Sequence, residues 1–171
     1  MRLTRPTKLM RTWLSALAFG AFVLAGNPCC AHDDLHPFVR GSWQKILAAH
    51  AGRPAVVHFW GLTCAPCRTE MPEWGKLLSE RPDLNLVGID ADLVPNERDA
   101  VAATLAQTGL ARAENWIFAD AFLERLRHEI DPHWRGEIPR TMLVGRDGSI
   151  TTIEGSADLK EVRAWLDLQA K

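Results

Sequence analysis

Two cysteines separated by two residues, Cys64 and Cys67, constrain this chain more than any other feature. They follow the apolar run 55–59 and precede a helical pattern over residues 68–78. Two cysteines at this spacing, between a predicted strand and a predicted helix, are typical of a redox pair. The backbone N–H groups and dipole of a helix start favour negative charge, and lower the pKa of a cysteine there from about 8.5 to roughly 3.5–7.5. We therefore expect Cys64 to attack disulfides and Cys67 to resolve the resulting mixed disulfide.

Other uses of a cysteine pair fit the sequence less well. A zinc site of four ligands needs further ligands, and no other cysteine pair follows Cys67. A c-type haem attachment needs histidine directly after the second cysteine, where this chain has Arg68. The sequence therefore favours a redox pair over a zinc half-site or a structural disulfide, and we predict no metal and no cofactor.

Residues 1–31 resemble a secretory signal peptide rather than part of a folded domain. An uncharged stretch runs from Trp13 to Gly26, and Cys29-Cys30-Ala31 offers a cleavage site with a small last residue. Four basic side chains precede this stretch: Arg2, Arg5, Lys8 and Arg11. An uncleaved membrane anchor is the alternative, because the 19 residues from Trp13 to Ala31 approach the ~20 needed to cross a bilayer. A lipid-attached Cys29 is disfavoured by its preceding residues.

Charge and cysteine usage agree with export. Without the leader, 16 basic and 21 acidic residues remain, so no basic surface for nucleic acid is expected. Removing Cys29 and Cys30 leaves Cys64 and Cys67 as the only cysteines. One pair does not make a disulfide scaffold, even in an oxidising compartment. We therefore expect a periplasmic protein, secreted across the inner membrane or anchored in it.

The rest of the chain predicts one α/β domain over residues 38–171. Residues 32–37 are expected to be a flexible terminus, although His32, Asp33, Asp34 and His36 are residue types that bind metals. Hydrophobic periodicity and turn signals give the elements. Strands are predicted at 55–60, 85–89, 116–119, 141–144 and 149–154, and helices at 38–49, 68–78, 96–107 capped by Asn96, 121–130 and 159 onward, capped by Asp158 and Glu161.

His58 interrupts the apolar run that leads to the cysteines. A buried histidine is more often a structural residue than a catalyst, and its burial should lower the pKa of the imidazole. It stands six residues before Cys64, on a strand that runs toward the motif. Both interpretations stay open: His58 is a core residue, or it is a general base that takes the proton of Cys67.

Two groups of residues resemble one known family. The first is Phe59-Trp60 with the cysteine motif, Arg68, Glu70 and Pro72, and the second is the stretch 136–141 with Asp147-Gly148 and Gly155. Together they make residues 38–171 similar to the TlpA-like family of periplasmic thiol-disulfide oxidoreductases. This resemblance implies a thioredoxin-like fold, an α/β architecture in which a central mixed sheet is flanked by helices.

The resemblance also implies roles for individual residues. Cys64 would attack and Cys67 would resolve. Pro139 would be a cis-proline that faces the active site, where the backbone of Ile138 can pair with a substrate strand. Two positions depart from the family: relatives have an acid or asparagine where this chain has His58, and commonly tryptophan where it has Thr63.

The leading hypothesis is an enzyme that reduces disulfides of exported proteins, such as those in cytochrome or copper-site maturation. Its partners would be protein disulfides and a membrane or periplasmic electron donor. An oxidase or isomerase on the same scaffold is an alternative, because reduction potential sets the direction. A carrier that binds Cu(I) through Cys64 and Cys67 is another, because soft thiolates favour that ion.

Overall fold

A computed structural model of the protein describes residues 35–92 and 94–170. The predicted leader lies outside the described residues, as do His32, Asp33 and Asp34. In chain order the elements are β1 Leu35–Phe38, α1 Ser42–Ala49, β2 Ala55–Trp60, α2 Ala65–Glu80, β3 Leu86–Asp90, α3 Arg98–Gln107, β4 Glu114–Phe118, α4 Leu123–Ile130, β5 Arg140–Val144, β6 Ile150–Glu154 and α5 Leu159–Gln169.

The six strands form one mixed sheet in the order β1-β4-β3-β2-β5-β6. The pairs among β1, β4, β3 and β2 are parallel, whereas β5 is antiparallel to both β2 and β6. Strand β2 therefore lies inside the sheet, and all six of its residues are buried. The α/β class and the predicted position of this strand are confirmed. The cysteine motif consequently starts at the carboxyl end of a central strand.

Alternate residues of β2 enter two separate cores, because successive side chains of a strand point to opposite faces. Val56 and Trp60 pack with Cys67 and Trp74 of α2 and Val162 of α5. Burial of one such large apolar side chain contributes about 2 kcal/mol relative to exposure. The cysteine pair is thus held to the sheet by the apolar face of α2.

The second core lies on the opposite face of the sheet. Val57 and Phe59 pack there with Trp43 of α1 and Leu126 of α4. The rings of Trp43 and Phe59 lie 6.2 Å apart. Helix α1 therefore covers one face of β2.

The amino-terminal boundary of the domain also differs from the prediction. Residues 35–37 are not a flexible terminus, because they form β1 with Phe38 and pair with β4. The His36 ring lies 5.0 Å from that of Trp116. Phe38 is fully buried as a strand residue, and the first helix begins only at Ser42, after Gly41 with a φ of 83°. The local sequence pattern predicted a helix from residue 38, because it carries no information on the pairing of residues 35–38 with β4.

Asn96 does not cap α3. The helix begins after Glu97 without a side-chain cap, and the Asn96 amide instead donates to the carboxylates of Asp90 and Asp92. Two buried carboxylates at the end of β3 need donors more than an exposed helix end does. At α5, the predicted cap is present in part, since Asp158 accepts from Lys160 N.

Candidate active site

Cys64 and Cys67 are joined by a disulfide at the first turn of α2. Cys64 is the N-cap residue, and its Sγ accepts a hydrogen bond from Cys67 N at 3.2 Å. Pro66 occupies the first turn, where its missing N–H leaves no helical bond unmade. Cys64 is 9% exposed and Cys67 is fully buried. The fold therefore leaves only the first sulfur a route to solvent, at a helix end that favours a thiolate.

The loop before β5 brings a backbone carbonyl against this sulfur. Cys64 Sγ lies 3.6 Å from the oxygen of Ile138, and the Ile138–Pro139 peptide bond is cis. Antiparallel pairing places this loop, since Phe59 of β2 is opposite Arg140 of β5. The loop that carries Pro139 thus runs past Cys64.

Asp92 fixes the segment that leads into Cys64. Its carboxylate accepts from Thr63 N at 3.0 Å and from the Thr63 hydroxyl at 2.7 Å. A Cβ on Gly61 would lie 2.3 Å from Asp92 Oδ1, so this close approach requires glycine. The sequence analysis did not single out Asp92. Its position just after β3 was the available signal, because the carboxyl ends of parallel strands meet at one edge of a sheet.

His58 is buried and in contact with three side chains. Its Nδ1 lies 3.0 Å from Thr141 Oγ1, and its Nε2 lies 3.3 Å from Glu70 Oε1. Its ring centre is 5.1 Å from that of Trp74. Burial lowers the pKa of His58 to about 3, so the imidazole is neutral at pH 7. His58 points to the same face of the sheet as Cys67, since residues 56, 58 and 60 alternate with those of the other core.

Glu70, one helical turn after Cys67, completes this buried pair. Its Oε2 accepts from Ala157 N at 3.2 Å. Burial raises the pKa of Glu70, while hydrogen bonds from Ser156 and Ala157 act in the opposite direction. The sequence analysis quoted Glu70 only as part of the family resemblance. Its partner His58 lies twelve residues earlier, on β2, and only the packing of α2 on the sheet brings the two side chains together.

Two grooves flank the cysteine motif. The smaller, of about 420 Å³, is lined by Cys64 and Ile138 together with Val94, Arg127 and Gly136. The larger, of about 690 Å³, lies between α2 and α5 and is lined by both polar residues, such as Glu70, and apolar residues, such as Leu159. Only the smaller groove reaches a reactive sulfur. Its size suits the side chains of a short peptide segment.

The residues from 35 to 92 and from 94 to 170 contain no helix long and apolar enough to cross a membrane. The same residues contain no group of three or more histidines, cysteines or carboxylates placed to hold a metal ion.

Comparisons with solved structures identify the fold. A secreted Mycobacterium tuberculosis disulfide oxidoreductase homologous to E. coli DsbE is 21% identical, with a TM-score of 0.56 over 71% of this chain and 85% of that one. A thiol:disulfide interchange protein of the thioredoxin family from Chlorobium tepidum is 18% identical, with a TM-score of 0.54 over 72% and 84%. A secreted thiol-disulfide isomerase from Corynebacterium glutamicum is 19% identical, with a TM-score of 0.56 over 73% and 75%.

No protein-family model matches the chain, and no curated protein matches its sequence. At identities near 20%, structural likeness shows the fold alone. The chain has a thioredoxin-like fold, and the solved structures that resemble it include thiol-disulfide oxidoreductases. The predicted fold class is confirmed.

Proposed function

We propose that this protein is a thiol-disulfide oxidoreductase that reduces disulfides of exported proteins, such as those in cytochrome or copper-site maturation. The observation that carries the proposal is the Cys64–Cys67 disulfide at the start of α2, with only Cys64 accessible and the Ile138 carbonyl beside it. A secreted disulfide oxidoreductase and a secreted thiol-disulfide isomerase of the same fold support thiol-disulfide exchange as the chemistry.

The exchange needs no cofactor. In the reduced protein, the Cys64 thiolate attacks one sulfur of a substrate disulfide, and the other substrate sulfur leaves as a thiolate and takes up a proton. Cys67 then loses its proton and attacks Cys64, which releases the second substrate sulfur and forms the Cys64–Cys67 disulfide. Two electrons have passed to the substrate. A dithiol donor in the periplasm or the membrane would return them.

Pro139 and Ile138 would position the substrate. The Ile138 carbonyl is free to accept from the backbone of an extended chain, because it lies in the loop ahead of β5 and faces Cys64. Proline at position 139 has no backbone N–H to donate, so the backbone contact to an incoming chain would be made by Ile138. A substrate strand bound there would carry its disulfide to Cys64.

His58 would take the Cys67 proton together with Glu70. Burial disfavours the imidazolium form of His58, whereas the Glu70 carboxylate, 3.3 Å from Nε2, would stabilise it while it carries the Cys67 proton. The proton then belongs to the pair rather than to either residue.

The reduction potential should distinguish the reductase from the oxidase or isomerase alternative. For a reductase we expect a value of about −270 mV in a glutathione titration, as in thioredoxin. A value more than about 100 mV to the oxidising side would exclude this direction and favour the alternatives, since about 30 mV is a tenfold change in the equilibrium constant. A Cu(I) titration of the same reduced preparation tests the carrier: tight binding without disulfide reduction would favour it.

We further propose that the protein is exported and cleaved after Ala31. The basic start and uncharged stretch of residues 1–31 support this, as do the secreted proteins that share the fold. The intact mass of protein recovered from a periplasmic fraction should correspond to a chain that begins at His32. Recovery of the uncleaved chain from membranes would indicate the anchor instead.

A further inference from the structure

Arg127 is a buried cation with few partners. The residue is 4% exposed, and the described residues supply its guanidinium with one hydrogen bond, from Nη2 to the carbonyl of Ala91 at 2.8 Å. Its buried Nε makes none. Glu124, Asp92 and Glu137 act on it over longer distances. The positive charge therefore has no carboxylate in direct contact within residues 35–92 and 94–170.

Arg140 shows how the same fold treats another buried arginine. It is also 4% exposed, but its guanidinium forms ion pairs with both Asp131 and Glu154. Buried charges are normally paired in this way, because an unpaired charge loses hydration without compensation. Arg127 has the Trp134 ring, whose centre lies 5.6 Å from the guanidinium carbon, but no carboxylate in contact among the described residues, so an incoming carboxylate would be its first ion-pair partner.

The groove beside Cys64 is where a partner can reach Arg127. Arg127 and Gly136 line it at one side and Cys64 at another. A Cβ on Gly136 would lie 2.2 Å from Nη1 of Arg127, so glycine leaves the room that the guanidinium occupies. Its φ of 103° also favours glycine. The loop is thus shaped around the guanidinium.

The other side chains of the groove are either engaged in hydrogen bonds or apolar. Asp92 accepts from Thr63 N, from the Thr63 hydroxyl and from the Asn96 amide, so its oxygens are engaged. Val94 is 66% exposed and offers an apolar wall. Among the groove's side chains, the unused polar capacity is that of a guanidinium, which donates to carboxylates in a fixed fork geometry.

We propose that Arg127 binds an acidic side chain of the polypeptide whose disulfide is presented to Cys64, so that the enzyme selects substrates with Asp or Glu close to the reactive cysteine. This inference rests on the proposed function, since it assigns a specificity residue to the same site. Arg127 binds and positions the substrate and takes no part in the exchange of bonds. The charge of Asp92 opposes an incoming carboxylate, so the direct contact with Arg127 must outweigh it.

The test uses disulfide-linked peptides that carry a single Glu at each of the two positions before and after the cysteine, each matched by a Gln peptide. For at least one position, kcat/KM for the Glu peptide should exceed that for its Gln partner by about tenfold or more, as for a charge-assisted hydrogen bond. Arg127→Gln should remove this preference. Arg125→Gln is the matched control, because Arg125 is an exposed arginine of the same helix and should leave the preference unchanged.

Equal rates for Glu and Gln peptides at all positions in the unaltered protein would overturn the proposal without any variant. So would an equal loss of rate for both peptides in Arg127→Gln, because that result assigns Arg127 to the reactivity of Cys64. Calorimetry can measure the binding of the same peptides with serine in place of cysteine. This measurement reports binding at the Arg127 site independently of disulfide exchange. A Glu preference there with no exchange would uphold the Arg127 site while rejecting the proposed function.

Discussion

Replacement of Cys64 by serine should abolish disulfide reduction, whereas replacement of Cys67 by serine should stop the reaction at a mixed disulfide. The first variant has no accessible nucleophile, because a serine hydroxyl stays protonated where a cysteine at the start of α2 ionises. The second keeps that nucleophile but has no thiol to release the bound partner. Incubation with a disulfide substrate and nonreducing electrophoresis should show a covalent complex with Cys67→Ser alone.

A labelling experiment gives the control for the order of attack. At neutral pH, alkylation of the reduced protein should modify Cys64 before Cys67, because the first is 9% exposed and the second is fully buried. Equal labelling of both thiols would contradict activation at the helix start. Trapped complexes with Cys64→Ser would mean that Cys67, and not Cys64, attacks the substrate disulfide.

His58→Asn should slow resolution of the mixed disulfide by about 10²- to 10⁴-fold, the usual contribution of a positioned acid or base. Asparagine can keep a hydrogen bond to Thr141 but cannot take a proton from Cys67. Stopped-flow measurement of release from a preformed mixed disulfide, across the pH range, reports this step directly. In the unaltered protein the rate should fall as the pH drops through the pKa of Glu70, which burial raises above the ordinary value for a glutamate.

His50→Asn is a matched control. His50 is also buried, and its Nε2 lies 2.9 Å from Glu114 Oε2, but it follows α1, which packs on the face of the sheet opposite to α2 and Cys67. It should leave the rate of resolution unchanged. If His58→Asn retains both the rate and the pH profile, His58 is a core residue and its assignment to proton transfer is wrong.

The same variant has a second readout in stability. The folded protein holds His58 neutral down to a pH of about 3, whereas the unfolded chain protonates it near 6.5. As pH falls from about 6 to 4, the unfolded state therefore binds the additional proton, and the protein should lose about 1.4 kcal/mol per pH unit relative to His58→Asn. Urea unfolding at several pH values measures this difference, and a pH-independent difference would contradict the buried neutral state.

Local patterns were sufficient for the elements that frame the site. The apolar, β-branched run 55–60 indicated a central strand, and the cysteine spacing with Pro66 indicated the start of a helix. The Gly145–Gly148 turn indicated the β5–β6 hairpin. Each of these features depends on residues within a few positions of one another, so periodicity and turn chemistry are enough to predict them.

Boundaries failed where an element depended on a distant partner. Residues 35–37 look like an exposed terminus because their strand has no partner until β4, about 80 residues later, is placed beside it. Asn96 suits a helix cap by its type, yet the buried carboxylates of Asp90 and Asp92 compete for its amide. These residues lie within six positions of one another, but the burial of the two carboxylates, which creates the competition, depends on the packing of β3 inside the sheet.

The contacts that give the site its chemistry arise only from tertiary structure. Pairing of β2 with β5 brings Ile138 to Cys64, packing of α2 on the sheet brings Glu70 to His58, and the parallel edge brings Asp92 to Thr63. Arg127 lies in the predicted helix 121–130, to which the sequence analysis assigned no functional role. Its isolation from carboxylates is a property of the whole arrangement around it, because a buried charge is defined by what surrounds it in space and not by its neighbours along the chain.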